Sequence, residues 1–83
     1  MAQKARTKDE SFMVRLHTEA LKLPEIDDPL DRYVIGELVG LNKKAVDTIC
    51  VLLGQANFIK KHGPVEISIT PNGIRLVESI QED

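Results

Sequence analysis

The chain is poor in the residues that usually mark a special chemistry. Its lone cysteine, Cys50, can close no internal disulfide and has no second thiol for a zinc site, which points to a reducing compartment, the cytoplasm. With no tryptophan, and only Phe12, Tyr33 and Phe58 as aromatics, it has no stacking platform for single-stranded nucleic acid. Its core must therefore be built from Leu, Ile and Val. No apolar run approaches the about 20 residues of a bilayer-spanning helix, and residues 1–8 are basic and polar with no apolar stretch behind them, so neither export nor a membrane is expected. Nothing pairs a nucleophile with a base, sets two carboxylates to work together or cradles a phosphate in a glycine loop. The expectation is a binding protein rather than an enzyme, with no cofactor and no metal.

What is present is an ordinary globular composition, 42% hydrophobic and 29% charged, in 83 residues. A chain of this size buries only about two-thirds of its unfolded surface, enough for one domain. The net charge of −2 conceals an uneven distribution. Residues 1–8 carry Lys4, Arg6 and Lys8 and no acid, and residues 40–64 carry Lys43, Lys44, Lys60 and Lys61 against Asp47 alone. Where charge sits decides what a protein attracts more than its sum does. The expected organisation is a basic, flexible arm over residues 1–8 and a folded domain over residues 9–83.

Hydrophobic spacing predicts the elements. A first helix opens at Asp9 as N-cap, carries Met13, Leu16, Ala20 and Leu23 on one side, and stops before Pro24. In Asp28-Pro29-Leu30-Asp31 an N-cap is followed by proline at the first helical position, predicting a second helix to about Val39 with Leu30, Val34, Ile35 and Leu38 facing the core. Gly40 closes it, and no strand is visible between the two helices. Asn42 caps a third helix, over about 43–56, with Ala45, Val46, Ile49, Leu52, Leu53 and Ala56 on its apolar face. After Asn57 the period falls to two: Val65, Ile67 and Ile69 alternate with Glu66 and Ser68, and His62-Gly63-Pro64 makes the turn of a hairpin over about 58–69. Thr70-Pro71 opens a last helix bearing Ile74, Leu76, Val77 and Ile80.

Two stretches at this separation, Gly36-Glu37-Leu38-Val39-Gly40-Leu41-Asn42-Lys43-Lys44-Ala45-Val46 and Ile69-Thr70-Pro71-Asn72-Gly73-Ile74-Arg75-Leu76, resemble bacterial regulators of the multiple-antibiotic-resistance type. The resemblance spans residues 35–80. It implies a mainly helical α+β fold, a winged helix-turn-helix: a three-helix core, a short two-stranded β-wing and a C-terminal helix. It also implies a transcription regulator that binds double-stranded DNA as a homodimer.

On a wheel of the third helix, Lys44, Asp47, Thr48, Val51 and Gln55 lie opposite the core, with Asn42 and Lys43 at the leading edge. Lysine and threonine suit phosphate or base contacts, glutamine the backbone, valine a thymine methyl; aspartate accepts from cytosine but repels phosphate. Such a face can equally be plain solvated surface. The resemblance places phosphate contacts at Lys60, Lys61 and His62, while lysines there would also guard a hairpin edge against stray pairing. Cys50 reads as a small buried thiol and His17 as a histidine without a second ligand. Asp28 and Asp31 are explained by capping, since with Asp27 they lack the glycine and terminal glutamate of a calcium loop. The other reading is an adaptor of the same fold that docks onto a protein and touches no DNA, favoured by Val51 and the acidic excess.

Overall fold

A computed structural model describes residues 6–81. It is a small, mainly helical α+β domain, with elements α1 (Lys8–Ala20), β1 (Leu30–Asp31), α2 (Arg32–Leu38), α3 (Lys43–Gln55), β2 (Ile59–His62), β3 (Glu66–Ile69) and α4 (Pro71–Gln81). Among the described residues no helix is long and apolar enough to cross a membrane.

The helices begin where a side chain can take up a free backbone N–H. Thr7 caps α1: its hydroxyl accepts from the Glu10 N–H, and the Glu10 carboxylate accepts from the Thr7 N–H at 2.9 Å, closing a capping box. The cap thus lies two residues before Asp9, the cap read from the sequence, and Lys8, assigned there to the arm, is the first residue of the helix. Residues 1–5, the rest of the expected arm, lie outside the described residues. At the other end α1 stops at Ala20 rather than Leu23, leaving Leu21 exposed.

The second helix starts later than Asp28-Pro29 suggests. The Arg32 N–H donates to the Val65 carbonyl at 3.2 Å, and Leu30 and Asp31 pair with Ile67 and Glu66, so the residues expected in its first turn are a strand. Asp31, not Asp28, is the cap, accepting from the Tyr33 N–H at 2.8 Å. The sheet accordingly has three antiparallel strands in the order β1-β3-β2, one more than the two-stranded wing expected.

The buried side of α2 is Arg32, Ile35 and Gly36, while Val34 and Leu38, expected in the core, are 54% and 46% exposed. Gly36 explains the rotation. A Cβ on it would strike the Val46 side chain, so this bare position is where α3 comes closest. The turn between α2 and α3 is a Schellman closure, with Gly40 at φ 77°, its N–H on the Glu37 carbonyl and the Leu41 N–H on the Gly36 carbonyl at 2.8 Å. Asn42 then caps α3, accepting from the Ala45 N–H at 2.8 Å. The same closure recurs after α3 with Asn57 in the left-handed conformation, φ 64°, and the Phe58 N–H on the Leu53 carbonyl. Of the expected apolar face of α3, Val46, Ile49 and Leu53 are buried together with Cys50, Ala45 is half-buried, and Leu52 and Ala56 face outward.

In the hairpin Ile59 faces Ile69, and Lys61 faces Ile67. The alternation expected in β3 is broken at Ser68, which is buried, its hydroxyl 2.8 Å from His62 Nε2. The Thr70 hydroxyl donates to the Asn57 carbonyl and accepts from the Gly73 N–H, tying the foot of the hairpin to the first turn of α4. α4 packs against α1. The enclosed core is aliphatic apart from Phe12, with Met13, Leu16, Ile35, Val46, Ile67 and Val77 its largest other members.

The Gly36–Val46 approach predicts a change of sign. Helix propensity alone would make Gly36→Ala stabilising by about 1 kcal/mol. Overpacking against Val46 should instead make it destabilising by about 1–3 kcal/mol. In a Val46→Ala background the clash is gone, and the same substitution should be neutral or stabilising. Urea denaturation of the four proteins checks this; equal effects in both backgrounds would contradict the packing described.

Candidate nucleic-acid interface

Two elements present the residues singled out for binding. The core side of α3 is fixed by Val46, Ile49, Cys50 and Leu53, which turns Lys44, Asp47, Thr48, Val51 and Gln55 to solvent; all five are exposed, as are Asn42 and Lys43 at the start of the helix. They divide by what else they touch. The Asn42 side chain is occupied as the helix cap. The Thr48 hydroxyl donates to the Lys44 carbonyl one turn back at 3.1 Å. Lys44, Val51 and Gln55 complete the outward row.

One carboxylate oxygen of Asp47 is engaged from α2, although the side chain itself stays about half exposed. Tyr33 Oη donates to Asp47 Oδ1 at 2.7 Å, and Arg32 Nη1 lies 3.8 Å from the same oxygen. Lys43 Nζ in turn sits 5.5 Å from the centroid of the Tyr33 ring, within cation–π range. The one acid of α3 is thus compensated from α2. Neither partner could be found by periodicity, because Tyr33 and Asp47 are 14 residues apart on different helices.

The paired lysines of β2 separate. Successive strand residues face opposite sides, so Lys61 shares the side of Ile59, Ile67 and Ile69, and Lys60 and His62 share the other with Glu66 and Ser68. Lys61 leans onto α3, its Cε within 3.6 Å of where a Cβ on Gly54 would stand. It lines a shallow groove of about 320 Å³ with Val51, Gly54, Gln55 and Ile59, which joins it to the exposed row of the helix. Lys60 points away from α3. His62 is half-buried, with Glu66 opposite and Ser68 as hydrogen-bond partner.

On the other flank of α3 a wider groove of about 570 Å³ runs to the start of α1, between Lys44, Thr48 and Leu52 on one wall and Lys8 and Asp9 on the other. Lys8 therefore borders the same surface. Leu52, expected in the core, is 56% exposed along this groove. Elsewhere Cys50 is enclosed, and burial raises its thiol above the ordinary range, so it stays protonated. Among the described residues no three His, Cys, Asp or Glu side chains cluster as a metal site would require.

Because the protonated Tyr33 phenol donates to a carboxylate, its pKa is raised above the ordinary tyrosine value, first by that hydrogen bond and further by desolvation and the charge of Asp47. The contribution of this bond to stability is present below the unfolded value of about 10 and is lost as pH rises through the folded one. Tyr33 is the only tyrosine, so tyrosinate absorbance reports this one group. An alkaline titration should place its midpoint above that of the unfolded chain, and Asp47→Ala should bring it down; equal midpoints in parent and variant would contradict the contact.

No family model matches the chain, and no curated protein and no solved structure matches it.

Proposed function

We propose that the domain is a winged helix-turn-helix that binds double-stranded DNA, with α3 as recognition helix, the β2–β3 hairpin as a short wing, and transcription regulation as its task. Element order supports the fold: a helix, a short strand, two helices joined by a tight turn, then a hairpin whose inner strand pairs with the first. The observation that carries the function is the exposed row Lys44, Thr48, Val51 and Gln55, continued by Lys61 from the hairpin. Its ammonium groups suit phosphates, its amide and hydroxyl suit base edges or sugar-phosphate oxygens, and Val51 suits a thymine methyl. The only acid on the helix is already engaged by Arg32 and Tyr33.

One recognition helix makes few contacts, so we further propose a homodimer that reads two half-sites. The core-facing residues of α1 are buried within the chain, where the helix packs on α4. That leaves the outer positions of these two helices for a partner copy. Sedimentation at high micromolar concentration tests it, a monomer counting against the dimer.

A second reading, an adaptor that docks onto another protein, draws on the adjacent exposure of Val51 and Leu52, 44% and 56%. An apolar pair in solvent suits a protein interface better than a phosphate backbone. Val51→Asp separates the readings if it abolishes capture of a protein partner by a chain that binds no DNA.

Lys44 of α3 and the two lysines of the wing give the discriminating test. Lys44→Ala and Lys61→Ala should each weaken binding to duplex DNA and lower the magnitude of the logarithmic salt slope by about one. Lys60→Ala, on the far side of the strand, should change the slope by much less. Each substitution should alter stability by less than about 0.5 kcal/mol, being on the surface. Fluorescence anisotropy at several salt concentrations measures the slopes. A parent protein that binds no duplex even at low salt would overturn the function.

A further inference from the structure

Arg32 is buried at the junction of three elements. It is 5% exposed, yet its guanidinium is accommodated: Nε donates to the Val65 carbonyl at 3.0 Å, and Nη1 reaches Asp47. The Arg32 N–H also donates to Val65, whose carbonyl lies at the turn of the hairpin. One side chain therefore joins the hairpin turn to α2 and, through Asp47, to α3. Tyr33 adds a second hold from α2 on the same carboxylate.

We propose that Asp47 is a positioning residue, fixing the angle between α3 and the hairpin through Arg32 and Tyr33, and that discrimination between DNA sequences depends on this angle. The inference rests on the DNA-binding reading and goes beyond it. It also reverses what the charge of Asp47 alone implies. An acid on a helix facing phosphates repels them, so its removal should tighten binding to every duplex alike. A brace has the opposite effect: base contacts need both surfaces set together to within a fraction of an ångström, whereas attraction to the backbone tolerates a looser pose. Losing the brace should then weaken the preferred duplex and spare the others.

Asp47→Asn and Tyr33→Phe remove the charge and the hydroxyl respectively, each at an exposed or half-exposed position that leaves the core intact. The probes are a labelled duplex selected from a random pool by the parent protein and a labelled duplex of mixed, unselected sequence. Each variant should lose roughly tenfold in affinity for the selected duplex; Tyr33→Phe should hold its affinity for the mixed one and keep the parent's salt slope, since no phosphate contact is removed, whereas Asp47→Asn, which also removes a repulsive charge, should hold or exceed it. The double variant should lose little more than either single one, because both act through the same carboxylate. In the free protein, amide shifts of Gly63, Val65 and Glu66 should move on Asp47→Asn, although that hairpin turn is distant in sequence. Tighter binding to both duplexes would show a merely repulsive charge and overturn the proposal. Unchanged binding with only a lowered melting temperature, or fixed amide shifts at Gly63, Val65 and Glu66, would also overturn it. A parent that binds neither duplex overturns the DNA-binding reading and this inference together, which is distinct from failure of the brace alone, where the parent binds and the variants discriminate as well as it does.

Discussion

A permanently charged guanidinium in the interior of so small a domain is the constraint around which its parts are arranged. Isolated burial of a charge is severely unfavourable, so the Arg32 side chain must find oxygen on every element it touches. The hairpin supplies the Val65 carbonyl and α3 supplies Asp47. No buried side-chain nitrogen or oxygen is left without a partner among the described residues. Three elements are thereby tied where an aliphatic residue would only have packed. This also accounts for the two-residue strand β1: the backbone at residues 30–31 must run extended alongside β3 to deliver Arg32 to the hairpin turn.

Much of this arrangement was legible in the residues. The Gly40 turn, the Asn42 cap, the change from helix to hairpin after Asn57 and the Thr70-Pro71 start of α4 each depend on chemistry within about five residues, and the structure has them where the spacing places them. The misreadings have a common origin. Asp28-Pro29 is a sound local signal for a helix start, but cross-strand pairing of Leu30 and Asp31 with β3 outweighs it. Val34 and Leu38 are apolar at helical spacing, yet the side of α2 that meets α3 is chosen by the absence of a side chain at Gly36, which no hydrophobic pattern registers.

The candidate interface divides in the same way. The outward row of α3 follows from a wheel, because the helix is long and its core side well marked. The compensation of Asp47 by Arg32 and Tyr33 does not, since it joins residues on two helices whose relative rotation is set by packing. Lys60-Lys61 looks like one basic unit in the sequence, and the pleat of the strand turns it into two side chains with different surroundings. Leu52 belongs to the apolar period of α3 and still ends in solvent, because the start of α1 stands off from it across a groove.

The foot of the hairpin is fastened independently of its tip. The Thr70 hydroxyl holds the Asn57 carbonyl and the Gly73 N–H, and the Thr70 N–H holds the Phe58 carbonyl, so entry to β2 and exit from β3 are pinned side by side. Closing a loop whose ends are already held costs only about 0.6 kcal/mol for each doubling of its length. Residues grafted between the exposed Gly63 and Pro64 would therefore leave the base in register, while Val65 stays held by Arg32. The hairpin can in this sense serve as a graft acceptor, its reach adjustable without redesign of the domain that carries it.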